Sequence, residues 1–94
     1  MSRKLRGEPD VSVVVPIVER YGDLKQLYHE FSAELTRLGH SSEFIFVVDE
    51  SQRSAIPALR DLQLSEGDRI SILQLNGSFG ESASLTLGFE RARG

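Results

Sequence analysis

The stretch Phe44-Ile45-Phe46-Val47-Val48-Asp49-Glu50-Ser51 decides the fold. Five apolar residues run together, with no polar alternation, and stop abruptly at two carboxylates and a hydroxyl. A strand half-exposed to water alternates apolar and polar side chains; one buried on both faces of a parallel sheet does not. In open α/β sheets ligands bind just beyond the carboxyl ends of the strands. Asp49, Glu50 and Ser51 stand at that point.

Working outward, Val11-Ser12-Val13-Val14-Val15-Pro16 reads as a first strand, with Pro16 marking its end because proline cannot donate to a ladder. Leu24, Leu27, Tyr28, Phe31, Leu35 and Leu38 recur at helical spacing and give one apolar stripe. Gly22 or Asp23 is the candidate N-cap, and Gly39 closes that helix. The second strand then covers Glu43 to Asp49. A shorter helix covers Ser54 to Leu64, with Pro57 in its first turn, where a missing N–H costs nothing. Ser65 to Asp68 is a turn and Arg69 to Leu75 a third strand. Asn76 to Gly80 is a loop, and Glu81 to Arg93 a third helix. Small residues at Ala83, Ser84 and Gly88 let that helix lie close to its neighbours. Arg91 and Arg93 read as favourable charges at its C-terminus.

The order βαβαβα implies an α/β fold with a parallel sheet and right-handed crossovers. Three strands are few for such a sheet. The expectation is a piece of a longer domain, with residues 1–10 as a flexible N-terminal arm and residues 11–94 as the folded part. Arg3, Lys4 and Arg6 on the arm read as a solvated tail rather than a membrane contact.

The chain has 94 residues, enough for one small domain, with 39% hydrophobic and 27% charged residues, an ordinary globular balance. Its formal net charge of −3 provides no basic footprint, so nucleic acid is not an expected partner. With no cysteine, disulfides and thiolate metal sites are excluded. No apolar run approaches the ~20 residues of a membrane helix, and the first ten residues lack a signal-peptide core. A cytoplasmic location is the default. His29 and His40 have no partners at metal spacing. Ser51, Ser54 and Ser82 have no histidine at a spacing that suggests a nucleophile. Gly77-x-x-Gly80 lacks the lysine or third glycine of a phosphate-binding fingerprint.

Four segments together resemble a known family: Val13-Val14-Val15-Pro16-Ile17, the helix starting near Asp23-Leu24, Glu43 to Ser51, and Gly77-Ser78-Phe79-Gly80-Glu81-Ser82-Ala83. In this order they look like the N-terminal half of a family 2 glycosyltransferase with a GT-A fold. The subgroup most similar contains dolichol-phosphate mannose synthase and the undecaprenyl-phosphate sugar transferases. The resemblance implies a three-layer, Rossmann-like (GT-A) sheet of strand order 3-2-1. It implies a nucleotide-diphosphate sugar donor, held by Pro16, Ile17, Val18 and Glu19 after the first strand, by Asp49, Glu50 and Ser51 after the second, and by Ser78 and Gly80 at the third helix. A carboxylate there accepts hydrogen bonds from base N–H groups or ribose hydroxyls. The acceptor it implies is a polyprenyl phosphate or a polysaccharide precursor.

The chain departs from the family pattern at Glu19-Arg20, Glu50-Ser51 and Gly77-Ser78, where the family usually has Asn-Glu, a second Asp followed by glycine, and Arg-Asn. The resemblance also implies a divalent metal, Mg²⁺ or Mn²⁺, whose Asp-x-Asp ligands and catalytic base would lie outside this chain. No catalytic residue is therefore assigned, and the 94-residue chain is expected to be inactive alone. Peripheral membrane association of the longer protein and self-association through the exposed edge of Val11–Val15 are further expectations. Two plainer alternatives stay open. Asp49 and Glu50 can simply cap the following turn, and the whole chain can be a non-catalytic α/β module for self-association or partner binding.

Overall fold

A computed structural model describes residues 8–94. The elements are β1 (Val11–Ile17), α1 (Leu24–Arg37), β2 (Ser42–Val48), α2 (Ile56–Glu66), β3 (Ile70–Gln74) and α3 (Gly80–Arg91), with a 3₁₀ turn over Glu50–Ala55 ahead of α2. The three strands form one parallel sheet in the order β1-β2-β3, the expected order. Every residue of β2 is buried, as its unbroken apolar run requires of a central strand.

Register sorts the side chains into two layers. Val13, Val15 and Ile17 align with Phe44, Phe46 and Val48, and these with Ile70 and Ile72. That face carries the main core, closed by Leu24 and Tyr28 of α1 and Leu59 and Leu62 of α2. Tyr28 meets Phe44 edge-on at 4.8 Å between ring centroids. The opposite face presents Val14, Ile45 and Val47, and α3 lies across β1 and β2 there. Its contact residues are small, Ser84 and Gly88, and both are buried. A methyl group added at Gly88 would fall 2.2 Å from Val14 Cγ1. The helix therefore rests backbone-first on the sheet.

Three expectations need correction. β1 does not end at Pro16 but runs through to Ile17. The Ile17 carbonyl accepts from Asp49 N–H across the β2 side, so by the alternation of a strand Pro16 faces away from β2. Its missing N–H falls on the edge of β1 that no described strand pairs with, where no ladder bond is lost. The α1 stripe is also narrower than its periodicity suggests. Leu24 and Tyr28 are buried and Leu27 and Leu35 half-buried, but Phe31 and Leu38 are 54% and 55% exposed, so only part of the stripe is covered.

Arg93 is the third. α3 stops at Arg91, and Arg93 turns back to the base of the sheet instead of facing a helix terminus. Its backbone N–H and its Nε both donate to Glu43, at 2.6 and 3.1 Å. Glu43 is only 2% exposed and also accepts from the Ser12 hydroxyl. Burial works to raise the Glu43 pKa, but Ser12 and Arg93 together outweigh it and hold the carboxyl below the usual range. The expected arm falls mostly on residues 1–7, outside the described residues. Within the described part Pro9 is buried, and the backbone and side chain of Asp10 are both bonded to Ser41.

Candidate functional site

At the carboxyl end of the sheet the chain is stitched together across all three strands. Asp49 N–H donates to the Ile17 carbonyl at 3.0 Å, linking β1 to the end of β2. On the other side Leu75 N–H reaches Val48 O at 2.9 Å, and Glu50 N–H reaches Gly77 O at 3.4 Å. The strand ends and the β3–α3 loop thus converge on Asp49.

Asp49 itself is 3% exposed. Its Oδ2 accepts from the Ser51 hydroxyl at 2.6 Å, the Ser51 N–H at 3.0 Å and the Ser78 hydroxyl at 3.1 Å. The Ser51 hydroxyl and amide hold its carboxyl below the usual aspartate range against the opposing effect of burial, and Ser78 and the Phe79 N–H add to them. The capping reading is thereby realised at Asp49: its side chain caps the 3₁₀ turn that begins at Glu50. Sequence periodicity missed that turn, and helix α2 starts at Ile56 rather than Ser54. An Asp followed two residues later by Ser is the local signal that could have found it.

Glu50 differs from its neighbour. It is exposed and meets Arg53 at 3.4 Å, an open-surface ion pair. Ser51, Ser78 and Gly80 are exposed too, and Gly80 starts α3 with φ 79°, a conformation glycine adopts readily. Ile17 is buried, Pro16 and Val18 are half-buried and Glu19 is exposed. Tyr21 folds back, its hydroxyl donating to Pro16 O at 3.2 Å.

A cleft of about 360 Å³ opens beside these strand ends, between the β1–α1 loop and the 3₁₀ turn. Arg20, Tyr21, Lys25, Gln52 and Ser54 line it, and Ile17 is the one predicted site residue that does. Sequence reading missed Tyr21 and Gln52. A larger trough of about 820 Å³ runs along β3 past Ile70 and Ile72 to Arg91 and Arg93. It lies toward the amino ends of the strands, where open α/β sheets do not place ligands, and the smaller cleft is the better candidate. Among the described residues no three His, Asp or Glu side chains gather to hold a metal ion. No described helix is long and apolar enough to cross a membrane.

No family model matches the sequence. Among characterised proteins it is similar to the undecaprenyl-phosphate 4-deoxy-4-formamido-L-arabinose transferase of Pseudomonas fluorescens SBW25, with 30% identity over 84 residues. The same-named transferase of Aeromonas hydrophila is 31% identical over 84 residues, and that of Pseudomonas aeruginosa PAO1 is 30% identical over the same length. The matches take in 89% of this chain but only 25% or 26% of each relative. This chain is therefore similar, along most of its length, to about a quarter of a bacterial sugar transferase.

Proposed function

We propose that this chain is the nucleotide-sugar-binding part of a glycosyltransferase of family 2, GT-A type, that passes a sugar from a nucleotide-diphosphate donor to a polyprenyl phosphate. One observation carries the reading: the ends of β1 and β2 and the β3–α3 loop converge on Asp49 at the carboxyl end of a parallel sheet. The similarity to transferases named for undecaprenyl phosphate supports it. In this reading Pro16 to Glu19, Asp49 to Ser51, Ser78 and Gly80 surround the donor. Glu50, exposed beside them, accepts hydrogen bonds from base N–H groups or ribose hydroxyls.

The divalent metal such a transfer calls on offsets charge on the leaving diphosphate. The described residues gather no site for it; the family resemblance is what implies ligands in a longer protein. A polyprenyl phosphate acceptor would hold the longer protein against the cytoplasmic face of a membrane.

The second reading, a module for self-association, draws on the outer edge of β1. There Val14 turns its backbone N–H and C=O away from β2, and no described strand pairs with them. Calorimetric titration with UDP-, GDP- and dTDP-sugars in Mg²⁺ or Mn²⁺ separates the two. Saturable binding of at least one donor is expected, and binding of none, by this chain and by the longer protein, refutes the transferase reading.

A further inference from the structure

Asp49 and Glu50 are adjacent in sequence but differently placed. Glu50 is exposed, whereas Asp49 is 3% exposed and its Oδ2 already has three donors within 3.1 Å. A carboxylate offers about four acceptor positions. The donors come from two directions: Ser51 belongs to the turn after β2, and Ser78 to the loop after β3. Asp49 thus bridges the two segments on which the proposed donor site is built.

We infer that Asp49 is a positioning residue that fixes the Ser78–Phe79 loop against the Glu50–Ser51 turn, rather than a group that itself touches the ligand. The loop-holding half of this inference stands on the geometry; the ligand half rests on the nucleotide-sugar reading. Without the Asp49 carboxylate, the Ser78 hydroxyl loses its bond to the turn. The turn then also loses its cap at Ser51. A nucleotide would meet the same side chains on two segments that keep the Glu50 N–H to Gly77 O bond but have lost the side-chain tie between them.

The test uses Asp49→Asn, Ser78→Ala and the double variant, with two readouts. Amide hydrogen exchange of the ligand-free protein is followed at Ser51 and Phe79 by NMR. Affinity is measured for UDP, GDP and dTDP with Mg²⁺. Losing charge-assisted hydrogen bonds should speed exchange at both amides by ~tenfold or more in Asp49→Asn. Ser78→Ala should speed Phe79 and leave Ser51 protected. Affinity losses in the double variant should fall short of the product of the single losses, because both act through one contact. If Asp49→Asn does not fold, Ser51→Ala paired with Ser78→Ala separates the two sides of the bridge by the same readouts.

Native exchange at both amides in Asp49→Asn, with nucleotide affinity lowered ~tenfold or more, would make Asp49 a direct ligand contact and overturn the inference. Should no nucleotide bind the wild-type chain, the donor reading fails by itself, while the exchange rates still decide whether Asp49 holds the loop.

Discussion

Gly88→Ala sets two forces against each other, and their sizes give opposite predictions. On helix propensity alone the change stabilises α3 by up to ~1 kcal/mol, since glycine is the poorest ordinary helix former. Against the sheet it does the reverse. The new methyl would lie 2.2 Å from Val14 Cγ1, 3.3 Å from Val14 Cβ and 3.2 Å from Val47 Cγ2. Val14 is β-branched and has few rotamers to retreat into, and Val47 is fully buried on the central strand. Overpacking of this kind costs ~1–3 kcal/mol. The overlap is at the severe end, so the net should be a loss of ~1–2 kcal/mol after the propensity gain. For a domain of this size that lowers the melting temperature by roughly 4–16 °C. Thermal unfolding followed by circular dichroism measures it. Val14→Ala removes the obstructing methyls, so in that background Gly88→Ala should cost little. The cycle should show a coupling of ~1–2 kcal/mol. A higher melting temperature for Gly88→Ala, or purely additive effects, would refute the backbone-first seating of α3.

At the base of the sheet, Glu43 carries a lowered pKa in the folded state. Its contribution to stability is therefore present above the ordinary glutamate range and lost as pH falls through the lowered folded value. Urea midpoints should drop on acidification below about pH 4, and Glu43→Gln should flatten that decline. Arg93→Ala leaves a buried carboxylate with fewer donors. Half-exposure of the Arg93 side chain screens the pair, so the expected loss is ~1–2 kcal/mol by chemical denaturation rather than the full value for a buried pair. Phe46→Ala empties the middle of the core at a residue with no exposed surface. The ~3–5 kcal/mol it costs is a large share of a small domain's stability, and near-ultraviolet circular dichroism should show widespread loss of tertiary structure. Pro16→Ala adds an N–H on the edge of β1 that no described strand pairs with and should shift stability by less than ~1 kcal/mol by urea titration. Collapse of the fold would contradict the outward orientation of Pro16.

Much of the fold was legible because its central strand carries an unambiguous pattern. The run Phe44 to Val48 suits a strand buried on both faces, and three extended segments separated by helical periodicities imply a parallel sheet. Gly88 and Ser84 announced a close helix contact by size alone. Other features depend on partners distant in sequence. Glu43 and Arg93 are 50 residues apart, and nothing local in either says that they pair. Phe31 and Leu38 have the right spacing for the α1 stripe, but how α1 lies on the sheet decides which of its apolar residues are covered. The site divides in the same way. The position of Asp49, Glu50 and Ser51 at a strand's carboxyl end could be read directly. The contrast between a buried, thrice-bonded Asp49 and an exposed Glu50 could not, because it depends on Ser78 arriving from the loop after β3.

The central claim is that the carboxyl end of this sheet receives a nucleotide. It is tested most directly by following backbone amide resonances while a nucleotide-diphosphate sugar with Mg²⁺ is added to the protein. Shifts confined to residues 17–21, 49–52 and 77–80, saturating with ligand, are the predicted result. Shifts centred on Glu43, Asp68 and Arg93 at the opposite end, or no shift with any of the UDP, GDP and dTDP donors, would contradict it.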